Sequence, residues 1–160
     1  MTEADIILKM QDLTSKYALK IADNEARRKY WVDNYLVIAD YIKTIGNVLN
    51  TFNYFNNSIY TRVDEGDNIT HDSSIIFWVG NTPVLDFIEK GFQIQFRPTF
   101  NGFIKCIAYG YTYDENVEQL PLFESELYEP TDLNKLATYD LFYKAYEKIT
   151  NETSLHFAKI

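Results

Sequence analysis

The sequence predicts an α+β fold: two N-terminal helices, arranged as a hairpin, and a C-terminal helix packed on a small antiparallel sheet. Three observations carry this expectation. Apolar residues recur at helical spacing through the first third, Asn101-Gly102 separates two strand-like runs, and a last helical pattern begins near Thr131. Helices and strands that occur in separate blocks, rather than in alternation, belong to this class. A chain of 160 residues has the length of one domain and can bury a substantial core. The expected division is a helical segment at 1–55, a sheet at 56–113 with a short helix at 82–90, an acidic loop at 114–130, and a helix and short strand at 131–160. Thirteen Tyr and eleven Phe predict a core rich in rings.

Ile6, Met10, Leu13, Tyr17 and Ile21 fall on one stripe of a first helix, with Thr2 and Asp5 placed to cap it. Trp31, Tyr35, Ile38, Ile42, Ile45, Leu49 and Phe52 then alternate spacings of four and three. That average of about 3.5 is the period of a coiled-coil seam, and these residues are the candidate oligomer seam. The polar stretch between the stripes, with Asp23 or Asn24 as a cap, predicts a turn near Ala22–Asn24 and an αα-hairpin. The rival is one long helix, because Met10, Tyr17, Asn24, Trp31, Ile38, Ile45 and Phe52 keep a seven-residue register. That rival would turn its seam toward a second subunit.

Asn56–Ser58 reads as a loop, Ile59–Val63 and Ser74–Val79 as strands, and Asp64–Asn68 as a turn. Thr82-Pro83 begins the short helix that Lys90 and Gly91 close. Asn101-Gly102 suits a two-residue type I′ turn. That turn pairs Phe100 with Phe103, Pro98 with Lys105, Phe96 with Ile107, Ile94 with Tyr109 and Phe92 with Tyr111. It places Cys106 on the face opposite this aromatic row. Thr131 or Asp132 caps a final helix to about Ile149, with Leu133, Leu136, Tyr139, Tyr143 and Tyr146 on its face; Leu155–Ile160 reads as a short edge strand.

Little in the chain points to catalysis. His71 and His156 are the only histidines and neither stands in a triad motif; the glycines form no phosphate loop. Cys106 reads as a small buried hydrophobe, and one thiol makes no internal disulfide. The acids of 64–72 with His71 lack EF-hand spacing and read as a turn; a metal-dependent enzyme or ligand binder built on them is the third hypothesis. Tyr109, Tyr111 and Tyr113 are expected to pack in the core rather than stack bases. No metal or other cofactor is expected. A net charge of −8 argues against direct nucleic-acid binding, and Arg27-Arg28-Lys29, the one basic cluster, reads as a solvated helix face. No signal peptide or membrane span is evident, so a cytoplasmic location is expected.

The charge imbalance is local. Residues 1–55 carry seven acids and seven bases, whereas no Lys or Arg lies between Lys105 and Lys135. That stretch holds Asp114, Glu115, Glu118, Glu124, Glu126, Glu129 and Asp132, with Phe123 and Tyr128 among them. Carboxylates interleaved with apolar side chains can meet a basic, partly apolar protein surface. The leading expectation is therefore a non-catalytic acidic binding module with Asp114, Glu115, Glu118, Phe123, Glu124, Glu126, Tyr128 and Glu129 as its contact residues. Its size, acidity and AT-rich residue usage are those expected of a phage or mobile-element inhibitor that occludes a basic, nucleic-acid-binding surface of a host protein such as a defence nuclease. The alternative is a self-assembling structural subunit, a homodimer through the seam at 31–52.

Overall fold

Glu3 to Asn50 form a single uninterrupted helix, α1, of 48 residues. At 1.5 Å per residue it is about 70 Å long. This computed structural model describes residues 1–52, 59–64, 73–80, 91–110 and 121–152. The predicted αα-hairpin is thus replaced by the rival long helix. The reason is local: residues 20–30 contain neither Gly nor Pro, and Ala22, Glu25, Ala26, Arg27 and Arg28 are strong helix formers. Two polar residues, Asp23 and Asn24, are too weak a signal to end a helix whose apolar register continues on both sides. The N-terminal cap is as predicted. Thr2 accepts a bond from the Asp5 backbone N–H, and the Asp5 carboxylate accepts one from Thr2 N–H.

Among the described residues five strands follow: β1 (Ile59–Asp64), β2 (Ser74–Gly80), β3 (Gly91–Pro98), β4 (Ile104–Gly110) and the two-residue β5 (Phe123–Glu124). They pair antiparallel in chain order. A 3₁₀ turn at Pro130–Asp132 leads to α2 (Lys135–Glu152). One sheet face carries Ile75, Phe77 and Val79 from β2, Phe92, Ile94 and Phe96 from β3, and Ile104, Cys106 and Ala108 from β4, all buried. Trp31, Ile38 and Ile42 of α1, and Leu141, Phe142, Ala145 and Ile149 of α2, close over it. Phe142 meets Phe77 edge-on at 4.9 Å, and Tyr146 meets Phe92 at 5.4 Å. Gly46 lets α1 approach β1 and β2 closely: a Cβ there would stand 3.3 Å from the Ile59 side chain.

The β3–β4 hairpin exists where predicted, but its register differs by one residue. Pro98 pairs with Ile104, Phe96 with Cys106 and Ile94 with Ala108. The turn explains the shift. Gly102 N–H donates to the Thr99 carbonyl and Thr99 N–H to the Phe103 carbonyl, with Gly102 alone among the described glycines at positive φ, +83°. This is a three-residue loop closed by a bulge on Gly102, not a two-residue type I′ turn. Because side chains alternate faces, one residue of shift moves all of β4. Cys106 joins the core row, while Lys105, Ile107 and Tyr109 stand opposite Arg97, Gln95 and Gln93 on the other face. Both the predicted placement of Cys106 and the core role of Tyr109 are corrected by this.

The final helix starts later than Thr131 or Asp132, because Asn134 is its cap: its side-chain oxygen accepts from Ala137 N–H. Its buried face is Thr138, Leu141, Phe142, Ala145 and Ile149. Leu136 and Tyr143, predicted inside, are exposed. Tyrosines tolerate a wet edge, so the stripe without phenol groups takes the centre. The predicted short helix at 82–90, the strand after Leu155 and the loop at Asn56–Ser58 lie outside the described residues.

Candidate functional site

Every residue from Met1 to Asp23 is exposed, and Asn24 is the first that is not. Residues Glu3–Asp23 of α1 therefore form an arm about 30 Å long that stands clear of the described body. Its polar groups are satisfied locally. Thr14 and Ser15 return their hydroxyls to the carbonyls of Met10 and Gln11, and Lys16 pairs with Asp12 at 2.9 Å. Its apolar groups are not. Ile6, Ile7, Met10, Leu13, Tyr17 and Ile21 are each between 39% and 65% exposed. Counting 3.6 residues per turn, Ile6, Met10, Leu13 and Tyr17 are collinear with Trp31, Tyr35, Ile38 and Ile42. One stripe thus runs the length of α1, covered by the sheet beyond Asn24 and bare before it. Leu8 and Leu19, also exposed, lie on the opposite side.

The candidate seam at 31–52 is accordingly taken up by the chain's own sheet. Trp31, Ile38 and Ile42 are buried there, while Tyr35, Ile45 and Leu49 pack at the edge of the same core. Only Phe52 is exposed. Trp31, Ile38 and Ile42 are thereby out of a second subunit's reach in the folded domain.

A collar fixes α1 where it leaves the body. The hairpin turn rests on the helix so closely that a Cβ on Gly102 would stand 2.7 Å from Cβ of Arg27 and 3.0 Å from the Asn24 carbonyl oxygen. The Arg27 guanidinium lies 3.9 Å from the centre of the Phe103 ring, and its Nε donates to both Glu129 carboxylate oxygens at 3.0 Å. Its Nη1 donates to Asn24 Oδ1. Arg28 covers Phe100 and donates to the Phe100 carbonyl. The predicted solvated face is thus corrected for two of its three cations; Lys29 alone is exposed, paired with Asp33. Flat, fork-shaped guanidinium groups can stack and ion-pair at once, and Lys could not replace them here. Beside the collar a shallow concavity of about 450 Å³ opens on the stripe side, with Tyr17, Lys20, Ile21, Asn24 and Phe100 in its walls.

The acidic segment divides. Asp114, Glu115 and Glu118 lie outside the described residues. Glu124 pairs with Lys105 at 2.9 Å and Glu129 with Arg27 at 3.0 Å. Phe123 and Tyr128 pack against the core, and Tyr128 exchanges two backbone bonds with Ile104. Glu126 is exposed, and its backbone carbonyl accepts from Ser125. From Phe123 to Glu129 the segment therefore extends the sheet edge, and two of its carboxylates are engaged within the chain.

The far sheet face carries Tyr60 stacked on Trp78 at 5.0 Å, with Arg62 above the indole. Arg62 also pairs with Asp64 at 2.7 Å; residues 65–72, and both histidines, lie outside the described residues. Among the described residues no three His, Cys, Asp or Glu side chains are grouped to hold a metal. Burial pushes the Cys106 thiol far above its ordinary pKa, the opposite of what a nucleophile needs. No helix of the described residues is long and apolar enough to cross a membrane. Spacing alone could have found the arm stripe, and the first-helix periodicity did contain it; what sequence reasoning missed is that nothing in the described body would cover it. Comparison with family models, with curated proteins and with solved structures finds no match to this chain.

Proposed function

We propose that this chain is a non-catalytic protein-interaction module that engages its partner through the N-terminal helical arm. The observation that carries the reading is the bare stripe Ile6–Met10–Leu13–Tyr17 on a helix clamped at its base. Large contiguous apolar surfaces on a folded chain mark interaction sites, and an amphipathic helix presenting anchors at spacings of three and four is a recurrent recognition element. The collar adds pre-organisation. A helix of some twenty residues is marginal in water on its own, but here it continues one already folded into the domain, so less ordering cost falls on binding. This moves the binding element from the acidic segment, the first expectation, to the arm.

Paired capture experiments test it. Immobilised wild-type protein and a Leu13→Asp, Tyr17→Asp variant are exposed to the same bacterial lysate supplemented with the tagged chain itself. Retention of a protein, whether foreign or the tagged chain, by the wild type alone supports the proposal. Identical retained sets overturn it.

A further inference from the structure

Resting on that reading, we infer that the occupant of the arm is the arm of a second copy, packed antiparallel. In that arrangement Ile6 faces Tyr17 of the second copy, Met10 faces its Leu13, Leu13 its Met10 and Tyr17 its Ile6. Four residues at alternating spacings of four and three supply knobs for a two-stranded seam, and the antiparallel order lets all four pair with one another with none left over.

Charge selects the direction. Glu3 and Lys20 continue the same heptad positions at the two ends of the stripe. Parallel arms would set Glu3 against Glu3 and Lys20 against Lys20. Antiparallel arms set each Glu3 beside a Lys20 and also oppose the helix dipoles. Between residues 3 and 20 the arm carries three acids, Glu3, Asp5 and Asp12, and three lysines, Lys9, Lys16 and Lys20. This neutrality suits a self-complementary surface and gives an anionic lipid surface no electrostatic hold.

Length and area agree. The arm helix starts at Glu3, and the hairpin turn meets α1 at Asn24 to Arg28. With Glu3 beside Lys20, the second helix begins about one turn short of that turn, at the concavity walled by Tyr17, Lys20 and Ile21. The bodies then sit at opposite ends of the paired arms, where they do not compete for the stripe. If the four stripe residues, with Ile7 and Ile21 exposed at its margin, each offer on the order of 100 Å², two arms bury about 1,200 Å² in total, the lower edge of what stable specific interfaces use. The second arm occupies, along Ile6–Tyr17, the place the sheet holds along Trp31–Leu49.

Sedimentation velocity on the purified full chain, from low micromolar to hundreds of micromolar, tests the inference with circular dichroism as a folding control. The expected mass is twice 18.8 kDa, falling to that of one chain in Leu13→Asp. Glu3→Lys or Lys20→Glu alone raises the dissociation constant roughly tenfold, and the two together restore it to within about threefold. A single chain at every concentration overturns self-pairing; the capture experiment, read for foreign proteins, then decides the arm reading separately. A dimer indifferent to Leu13→Asp, or singles that the double variant does not rescue, also overturns it.

Discussion

The α-carbon of Gly102 faces the side chain of Arg27 across the junction of hairpin and helix, with room for hydrogen and none for a methyl group. The same glycine holds φ at +83°. Two independent demands meet at one position: the bulge that sets the β4 register, and the contact that fixes where α1 leaves the body. The turn that decides which side chains enter the core is therefore also the base of the arm.

Gly102→Ala should be costly for both reasons. The left-handed conformation disfavours a side chain by about 1–2 kcal/mol, and relief of the contact must move the turn or the helix. We expect a loss of at least about 2 kcal/mol in urea unfolding, with faster amide exchange at residues 24–28. Unchanged stability would mean that the turn does not bear on the helix.

Trp31 is buried, and its indole N–H donates to the Ser73 carbonyl at 2.6 Å. Trp31→Phe removes that donor from a buried carbonyl and opens a small void. The expected cost is about 2–3 kcal/mol, read from the urea midpoint. A loss below the cost of a conservative core substitution would show that the bond contributes little.

Thr138 is fully buried in α2, and its hydroxyl has no hydrogen-bond partner among the described residues. Thr138→Val keeps the shape and removes the orphan polar group. Valine and threonine have similar helix propensity, so stability should rise by about 1 kcal/mol and Tm by about 2–5 °C. A fall in Tm would show that the hydroxyl is satisfied in solution.

Cys106 is enclosed among the rings of the core, and burial favours its neutral thiol. The folded pKa lies above the unfolded one, so the reactive thiolate is scarcer in the folded chain at pH 8. Alkylation at that pH should be slower than in the unfolded chain by at least roughly a hundredfold, and should track global unfolding as urea is added. Ready labelling without denaturant would place the thiol at the surface and return β4 to the type I′ register.

Wherever one local signal sufficed, the sequence was readable. Thr2 and Asp5 marked the first cap, β-rich runs marked β1 and β2, Asn101-Gly102 marked a turn, and the period of Trp31–Leu49 marked a helical apolar stripe, whose cover it did not name. Those features depend on neighbours within about a turn of the chain, so composition and spacing contain them. Three things waited for the tertiary structure. Whether α1 breaks at Asp23-Asn24 rested on a small difference in local preference, which the Gly102–Arg27 contact and the Arg27–Glu129 pair supplement from far along the chain. Whether Cys106 or Tyr109 faces the core turned on a single extra residue in a loop, because strand faces alternate with a period of two. And the Ile6–Tyr17 and Trp31–Leu49 stripes, alike in periodicity, differ in burial because the sheet reaches one and stops at Asn24 before the other.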